Sequence, residues 1–399
     1  MTDAAPNAPS PLWPLLATLA MQTLATMATF SVPAVAPAVA HDLGVAGGIV
    51  GMFVAIVYGV GIVSSLLAPS FVQRFGATRV VQIVLLAVVV MLAVCSSGAL
   101  ASLGIGAALL GLAYGATAPA SAHLLAPRTP QRVFNLVMSI RQIGVPLGGV
   151  FAGVVLPPLA LHYGWRVAIA AEIPVVIALA LALQLPRRGW DADRKPGYPL
   201  FVGALAKPLR LWRENASIRR LTLASFAYTS VQLCFVTFMT VHLTQSAKID
   251  LVTAGWILAV YQVAGALSRP LLGFIADRFI TPTRLLALTG LLMCAASEAF
   301  AGLDPHWRGW QVVLVCLLAG ASGSGFTGLA YAEFARLGGD RRTEATGLGS
   351  AAMFLGVLIV PPAFGLLAAA LGSFSMSFVA LGALALVGGA IMLAPGDRG

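Results

Sequence analysis

Two arginines stand out because each lies deep inside a long apolar stretch. Arg141 and Arg269 are each about 12 to 13 Å from the nearer end of such a stretch, at 1.5 Å per helical residue. In hydrocarbon, an arginine at that depth costs at least about 2.5 kcal/mol unless it faces a partner or water, so a functional role is the default interpretation. A guanidinium group binds a carboxylate through two parallel hydrogen bonds. The pair therefore predicts recognition of a small organic anion.

Further polar and aromatic side chains inside apolar stretches predict a pocket around these arginines. A few donors set among aromatic rings suit a small organic acid. Taken singly, each such side chain also fits a hydrogen bond between two packed helices. The candidates for the pocket lining are Gln22, Tyr114, Gln232, Tyr261 and Gln262.

Titratable groups that could carry a coupled proton are few. The candidates within or at the ends of apolar stretches are Glu172, Glu298 and His123. A histidine titrates near neutral pH, although one near a helix end is also a common structural donor. The two glutamates offer an alternative as well, because a buried acid can neutralise a buried arginine. These residues leave proton symport and anion exchange both open.

The composition places the whole chain in a membrane. Only 10% of its residues are charged, against about 25% in soluble domains, and its mean hydropathy is +0.92. A helix needs about 20 apolar residues to cross the hydrocarbon layer. We therefore predict an all-α membrane protein with twelve transmembrane helices. The predicted spans are 14–40, 47–68, 80–97, 102–126, 133–162, 166–185, 221–245, 251–275, 285–301, 312–334, 346–371 and 375–393.

The distribution of cations predicts the orientation of these spans. Of the 24 lysines and arginines, 19 fall in alternate loops and the C-terminal tail, whereas Arg166, Lys248 and Arg308 lie on the opposite side. Positive residues stay in the cytoplasm, so both termini are expected there, in a bacterial-type inner membrane. This topology explains the net charge of +10 without a nucleic-acid partner. The N-terminal tail has no lysine or arginine, so we expect the first span to be retained.

Two internal matches indicate a duplicated architecture. Residues 73–75 match 277–279, and residues 157–158 match 361–362, at the same offset. Two six-helix repeats are typical of secondary transporters, which bind solutes between the repeats near the membrane midplane. The predicted organisation is an N-terminal half, 1–186, a basic cytoplasmic linker, 187–220, and a C-terminal half, 221–399. The linker is expected to rest on anionic lipid headgroups.

With these features the sequence resembles the major facilitator superfamily. Gly273, Asp277 and Arg278 follow the eighth predicted span, in the pattern of the gating signature of that family. The first-half copy departs from it, with Pro69 in the glycine position and Gln73 in the aspartate position. The resemblance implies a gating role for the three second-half residues. Physically, such a carboxylate can accept hydrogen bonds at the N-terminus of a neighbouring helix.

A second motif in the fifth span is similar to the glycine-proline motif of exchangers and exporters in that superfamily. It comprises Gly144, Pro146 and Gly148. The resemblance implies a role in gating, and a plain packing face with a kink is the alternative.

The resemblance also bears on the two arginines. Arg269 occupies the place of the carboxylate-contacting arginine of monocarboxylate transporters and the oxalate/formate exchanger, whereas Arg141 is similar to the helix-5 arginine of sugar/proton symporters such as lactose permease. Two positions differ: the eleventh span lacks the lysine of the oxalate exchanger, and Gly265 replaces an aspartate of mammalian monocarboxylate carriers.

Together these features predict a secondary active transporter that moves a small organic anion, a carboxylate, by alternating access. Enzyme chemistry is not expected, because the sequence has no nucleotide-binding, zinc-protease or nucleophile motif. We expect a monomer in contact with membrane lipids, with protons as a candidate coupling ion and with no cofactor or metal. Two alternatives remain open at this stage. One is an exporter of lipophilic compounds, and the other is a receptor or scaffold that does not transport.

Overall fold

The structure, a computed structural model, describes residues 11–45 and 49–394, and all regular secondary structure in these ranges is helical. Eleven helical segments in these ranges are long and apolar enough to cross a membrane. The longest, Gly309–Leu371, contains two helices that meet at the short turn Gly339–Arg341, so it accounts for two crossings. The predicted all-α membrane fold is confirmed. The predictions for the N-terminal tail and for Arg398, the cation of the C-terminal tail, concern residues outside the described ranges.

Several predicted spans in the first half of the chain consist of two consecutive helices. Such a break frees backbone groups, which is tolerated in a membrane where neighbouring helices or polar side chains satisfy them. The break at Ile143 matters most here, because it directly follows Arg141 and Gln142. The helices are α1 (Leu12–Ala34), α2 (Ala36–Leu43), α3 (Ile49–Phe75), α4 (Ala77–Ser96), α5 (Leu100–Gly115), α6 (Thr117–Leu125), α7 (Phe134–Gln142), α8 (Gly144–Tyr163), α9 (Trp165–Ala170) and α10 (Ile173–Ala182).

The remaining helices belong to the linker and to the second half of the chain. Two short ones lie in the predicted linker, and six long ones follow. They are α11 (Arg187–Trp190), α12 (Ala206–Glu214), α13 (Ala216–Gln245), α14 (Leu251–Arg278), α15 (Pro282–Ala301), α16 (Gly309–Gly338), α17 (Arg342–Leu371) and α18 (Ser375–Leu393).

Glycines allow helices from the two halves of the sequence to touch. A Cβ atom on Gly273 in α14 would lie 2.7 Å from the backbone oxygen of Asn135 at the start of α7. One on Gly347 in α17 would lie 2.3 Å from the backbone oxygen of Ser65 in α3. Both contacts lie in the part of the bundle that the cation distribution assigns to the cytoplasmic side. The two halves are therefore in direct backbone contact there.

Large apolar side chains cover the outside of the bundle. Leu161, Trp256 and Leu366 are among many that are strongly exposed. In water such a surface would promote aggregation, whereas in a membrane it faces lipid tails. Three of the four cysteines, Cys95, Cys234 and Cys316, are buried as free thiols.

The segment between the halves is packed against both of them. Asp191 accepts hydrogen bonds from the backbone N–H groups of Thr78 (2.7 Å) and Arg79 (3.0 Å) at the start of α4. At the far end of the segment, Glu214 of α12 lies 3.5 Å from Arg341 at the start of α17. The linker thus has specific protein contacts in addition to any contact with lipid. We retain the division into halves 1–186 and 221–399 as a proposal.

Candidate functional site

The two arginines singled out by the sequence are buried side by side. Arg141 is 1% exposed and Arg269 is 2% exposed, which places them among the largest fully buried side chains of the described residues. Arg141 lies in the last turn of α7, where the helix dipole favours a cation. Arg269 lies in α14, directly before Pro270. Since α7 and α14 come from opposite halves, the packing of these helices brings both charges to one place.

Neutral groups accept the hydrogen bonds of Arg141. Its Nη2 donates to Oε1 of Gln22 at 2.6 Å, and its Nη1 donates to Oε1 of Gln142. Its Nε is buried and has no hydrogen-bond partner among the described residues. A buried guanidinium N–H without an acceptor is costly, so this side chain retains capacity for another acceptor.

Arg269 is bound in the same manner. Its Nε donates to the backbone oxygen of Ser324 at 3.1 Å, and its Nη2 donates to the Oγ of Ser324 at 3.1 Å. Its Nη1 donates to the backbone oxygen of Gln142. Gln142 therefore joins the two guanidinium groups, one through its side chain and the other through its backbone.

Neither arginine forms an ion pair with a carboxylate among the described residues. Glu172, one proposed structural partner, is 3% exposed and accepts a hydrogen bond from Ser31 instead. Glu298, the other, was expected to be buried, but it is exposed near the C-terminal end of α15. The alternative in which these acids neutralise the arginines is therefore wrong for this conformation. Two buried positive charges share a site with neutral partners.

Two of the predicted lining residues extend the polar network on the Arg141 side. The Nε2 of Gln22 donates to Thr26 at 3.0 Å and to the hydroxyl of Tyr114 at 3.3 Å. The ring of Tyr114 lies 5.8 Å from that of Phe354 in α17 and 6.3 Å from that of Tyr58 in α3. The network thus ends in a cluster of aromatic rings drawn from three helices.

A matching network lies on the Arg269 side. The Nε2 of Gln232 donates to the Oγ of Ser324 at 3.1 Å, and the buried Tyr261 donates to the backbone oxygen of Gln232 at 3.4 Å. Gln262, by contrast, is exposed and forms no side-chain hydrogen bond within the described ranges. The structure therefore gathers four of the five predicted lining residues around the arginines and leaves Gln262 apart from them.

Sequence reasoning missed Gln142 and Ser324. A polar residue directly after an intramembrane arginine was a signal for Gln142. Ser324 lies in a run of small residues, and a Cβ atom on Gly320 in that run would lie 2.2 Å from the backbone oxygen of Tyr261. Such runs mark close helix contacts. The run brings the backbone of α16 close enough to receive Arg269.

The gating candidate Asp277, near the C-terminal end of α14, contacts the N-terminus of α7. Its carboxylate accepts hydrogen bonds from the backbone N–H groups of Asn135 (3.1 Å) and Leu136 (2.9 Å), and from the Nδ2 of Asn135 at 2.8 Å. An anion at this end of a helix is stabilised by unpaired N–H groups and by the helix dipole. Gly273 permits the close approach described above, and Arg278 is exposed over the ring of Phe274. The contact connects the two halves directly, and its gating role stays a prediction.

The glycine-proline motif packs against α1. A Cβ atom on Gly144 would lie 2.9 Å from the backbone oxygen of Leu19, and one on Gly148 would lie 2.4 Å from that of Thr23. Pro146 lies in the first turn of α8, where a proline is tolerated. The motif therefore fixes α8 to the helix that carries Gln22.

The candidate proton-carrying groups are dispersed. His123 forms a 2.7 Å contact with Asp193 of the linker, and this hydrogen bond holds the pKa of Asp193 below its usual range. Glu298 is exposed and forms no ion pair with either arginine of the network. Of the three candidates, only Glu172 is buried, and its Oε2 has no partner among the described residues.

Comparison with known proteins decides the family. The model of the Major Facilitator Superfamily matches residues 18–336 and, in a second match, residues 221–398. The chain belongs to this superfamily. Two solved structures of similar fold are the fucose:proton symporter FucP of E. coli (14% identity, 97% of this chain and 100% of that one, TM-score 0.74) and the human organic anion transporter MFSD10 (16% identity, 96% and 100%, TM-score 0.70). Membership of this family of transporters agrees with the predictions of a multi-pass membrane transporter and of no enzyme chemistry.

Three bacterial relatives share part of its sequence. An uncharacterized MFS-type transporter of Mycobacterium tuberculosis is 27% identical over 272 residues, 66% of this chain and 58% of that protein. A chloramphenicol efflux pump of the same species is 24% identical over 253 residues (62% and 58%), and the 4-hydroxybenzoate transporter PcaK of Pseudomonas aeruginosa is 27% identical over 213 residues (46% and 47%). The matched part of this transporter spans about half of the length of these relatives.

Proposed function

We propose that this superfamily member carries a small organic anion, with a carboxylate group bound between Arg141 and Arg269. One observation supports the proposal above all others. Two buried guanidinium groups from opposite halves are joined through Gln142, and neither has a carboxylate partner among the described residues.

The physical argument rests on charge. A buried cation is costly unless it is paired and fully hydrogen-bonded, and neutral amide or hydroxyl acceptors compensate only part of that cost. A bound carboxylate supplies the missing negative charge and strong, charge-assisted hydrogen bonds. The buried Nε of Arg141 is a donor that such an anion can take without displacing Gln22 or Gln142.

The position of the pair favours coupling of binding to movement. Because Arg141 is in α7 and Arg269 is in α14, an anion bound by both connects the two halves. A ligand shifts a conformational equilibrium only as far as its affinity differs between the two states. Contacts from both halves provide that difference, so we propose transport by alternating access about this site.

The relatives agree with an acidic substrate but also support a second candidate. One relative is named as a 4-hydroxybenzoate transporter, and 4-hydroxybenzoate contains a carboxylate group. A protein named as a chloramphenicol efflux pump favours the alternative of an exporter of lipophilic compounds. We rank the anion first because an uncharged lipophilic substrate would leave both buried charges without a counter-ion.

For coupling we propose Glu172 as the first proton-binding candidate and retain anion exchange as the other mechanism. Its carboxyl group is buried against Ser31 and has no cation within ion-pair distance among the described residues. We also propose a bacterial cytoplasmic membrane as the location, with both termini inside, from the distribution of lysine and arginine.

The test measures the binding of small monocarboxylates to the purified protein by the shift in its melting temperature. A ligand that binds only the folded state raises its melting temperature by mass action. Arg141→Gln and Arg269→Gln should each weaken binding by about 1.5 to 3 kcal/mol, the range for a hydrogen bond to a charged group. The double variant should lose less than the sum, because residues that share one ligand couple. Replacement by lysine keeps the charge but loses the planar donor pair, so it should also weaken binding.

Arg308→Gln is the matched control, since Arg308 is a cation on the opposite, predicted outer side. Its affinity for the anion should equal that of the wild type. Unchanged affinity in Arg269→Gln would refute the proposed site and favour the lipophilic exporter. Unchanged affinity in Arg141→Gln alone would leave a site built on one arginine.

A further inference from the structure

An apolar groove runs along the outside of the bundle between α1 and the end of α10. Its volume is about 730 Å³, within the range of about 300 to 1,000 Å³ that is usual for ligand pockets. It begins at the N-terminal end of α1 and reaches the start of the linker. The lining residues on which the argument depends are Trp13, Leu16, Ala17, Arg128, Leu183 and Trp190.

A second, basic cavity of about 400 Å³ adjoins the linker end of this groove. Arg187, Arg188 and Arg194 line it, together with Asp191. The carboxylate of Asp191 is engaged with the backbone N–H groups at the start of α4, as described above. None of the three arginines forms an ion pair within the ranges 11–45 and 49–394. The cavity therefore carries a net positive charge.

The short helix α11 connects the two cavities. Trp190 lines the apolar groove, whereas Arg187 and Arg188 in the same helix line the basic cavity. Arg128 lies at the junction, where its Nη2 donates to the backbone oxygen of Trp190 at 3.1 Å and thereby fixes this helix to the bundle. The apolar and basic surfaces are thus parts of one continuous feature.

The apolar groove and the basic cavity are together complementary to an anionic membrane lipid. Tryptophans such as Trp13 and Trp190 concentrate at the level of the lipid headgroups. Apolar side chains below that level contact acyl chains, and arginines at that level attract anionic headgroups. A lipophilic solute without charge would use the groove but not the three arginines.

We propose that this feature is a binding site for one anionic phospholipid of the cytoplasmic leaflet. An acyl chain lies in the groove between α1 and α10, and the phosphate accepts hydrogen bonds from the arginines of the basic cavity. The lipid then contacts both the N-terminal half and the linker, so its binding stabilises the packed position of α11. The site is separate from the central arginines and does not depend on the proposed substrate.

The test is native mass spectrometry of the full-length protein, released from micelles that contain either phosphatidylglycerol or phosphatidylcholine. Wild-type protein should retain phosphatidylglycerol in preference to phosphatidylcholine. Each arginine near the surface contributes about fivefold in affinity, so Arg187→Gln combined with Arg188→Gln should reduce phosphatidylglycerol binding about 25-fold. The control, Arg213→Gln with Arg284→Gln, removes the same charge from two exposed positions on the same predicted side, outside both cavities. This control should change phosphatidylglycerol binding little.

A second variant tests the groove itself. Ala17→Trp fills part of the groove and should reduce phosphatidylglycerol binding without any change of charge. Addition of inorganic phosphate alone should not displace the lipid, because it lacks the acyl contacts. Equal loss of phosphatidylglycerol in the arginine pair and in its control would overturn the proposal, as would equal retention of phosphatidylcholine. Displacement by inorganic phosphate would also overturn it and indicate a site for free phosphate.

Discussion

Replacing Asp277 with asparagine removes one negative charge at the N-terminus of α7 and leaves the size of the side chain almost unchanged. The carboxylate accepts three hydrogen bonds there, at 3.1, 2.8 and 2.9 Å, two of them from the backbone. A helix-dipole interaction with an anion is worth about 0.3 to 1 kcal/mol at an exposed site and up to about 2 kcal/mol where it is partly buried. We expect Asp277→Asn to destabilise the contact between the halves by about 1 to 2 kcal/mol.

A loss of that size shifts a two-state equilibrium by about five- to 30-fold, since 1.4 kcal/mol is a factor of ten. The assay is a distance distribution between spin labels on exposed residues of the two halves, Gln131 and Arg284, both at the predicted cytoplasmic end. The wild type should favour the short distance that corresponds to the structure described here. Asp277→Asn should increase the population at longer distance and should slow turnover more than it weakens binding.

Asp340→Asn is the matched control, because Asp340 is an exposed acid on the same predicted side and forms no side-chain hydrogen bond within the described residues. It should leave the distance distribution unchanged. If Asp277→Asn also left it unchanged, or changed affinity while the maximal rate stayed the same, the gating role of Asp277 would be refuted.

Four further outcomes are expected. Gln142→Ala should lower the free energy of unfolding of the unoccupied protein by about 1.5 to 3 kcal/mol, because it removes an acceptor from the buried guanidinium of Arg141. The anion should then raise the melting temperature of this variant by more than it raises that of the wild type. An equal rise would contradict this role of Gln142. Gly148→Leu should lower the melting temperature, whereas Gly153→Leu, where a Cβ atom meets open space, should not; equal losses would show that the contact with α1 is unimportant. Hydrogen bonds from Thr253 hold the pKa of Asp250 below its usual range, so Asp250→Ala should reduce thermal stability at pH 7. The difference from the wild type should vanish as the pH falls through that lowered pKa. A difference that persists in acid would exclude the charge of Asp250 as its cause. Cysteines at positions 193 and 248 should be labelled from opposite faces of intact cells, and labelling of both from outside would overturn the predicted orientation.

The class of fold followed from the sequence because membrane helices are defined by length and hydropathy, which are local properties. Their internal breaks did not. The first predicted span, 14–40, consists of α1 and α2, with the break at Val35 between them. Whether a proline such as Pro33 ends a helix or is absorbed in it depends on neighbouring helices that satisfy the freed backbone groups. That information lies in the packing and not in the segment itself.

The site was predicted in part for a similar reason. The depth of Arg141 and Arg269 in apolar sequence was enough to identify both as unusual. Their hydrogen-bond partners were not predictable, because the acceptors Gln22 and Ser324 are 119 and 55 residues away from the arginines they bind. Only the tertiary structure reveals that the acids Glu172 and Glu298 do not neutralise the arginines.

The linker offers a physical explanation for the missing aspartate at Gln73 in the first-half copy of the gating motif. Gln73 cannot supply the negative charge that Asp277 supplies in the second half. Near Gln73, Asp191 of the linker provides a carboxylate to the start of α4, and Gly76 at φ 92° leaves room for it, since a Cβ atom there would lie 2.3 Å from the side chain of Asp191. Asp191, however, binds a helix of its own half, whereas Asp277 binds a helix of the other half. Of these two helix-capping carboxylates, only Asp277 bonds across the halves. We therefore expect mutation of Asp191 to loosen the linker without the shift in conformation expected of Asp277→Asn.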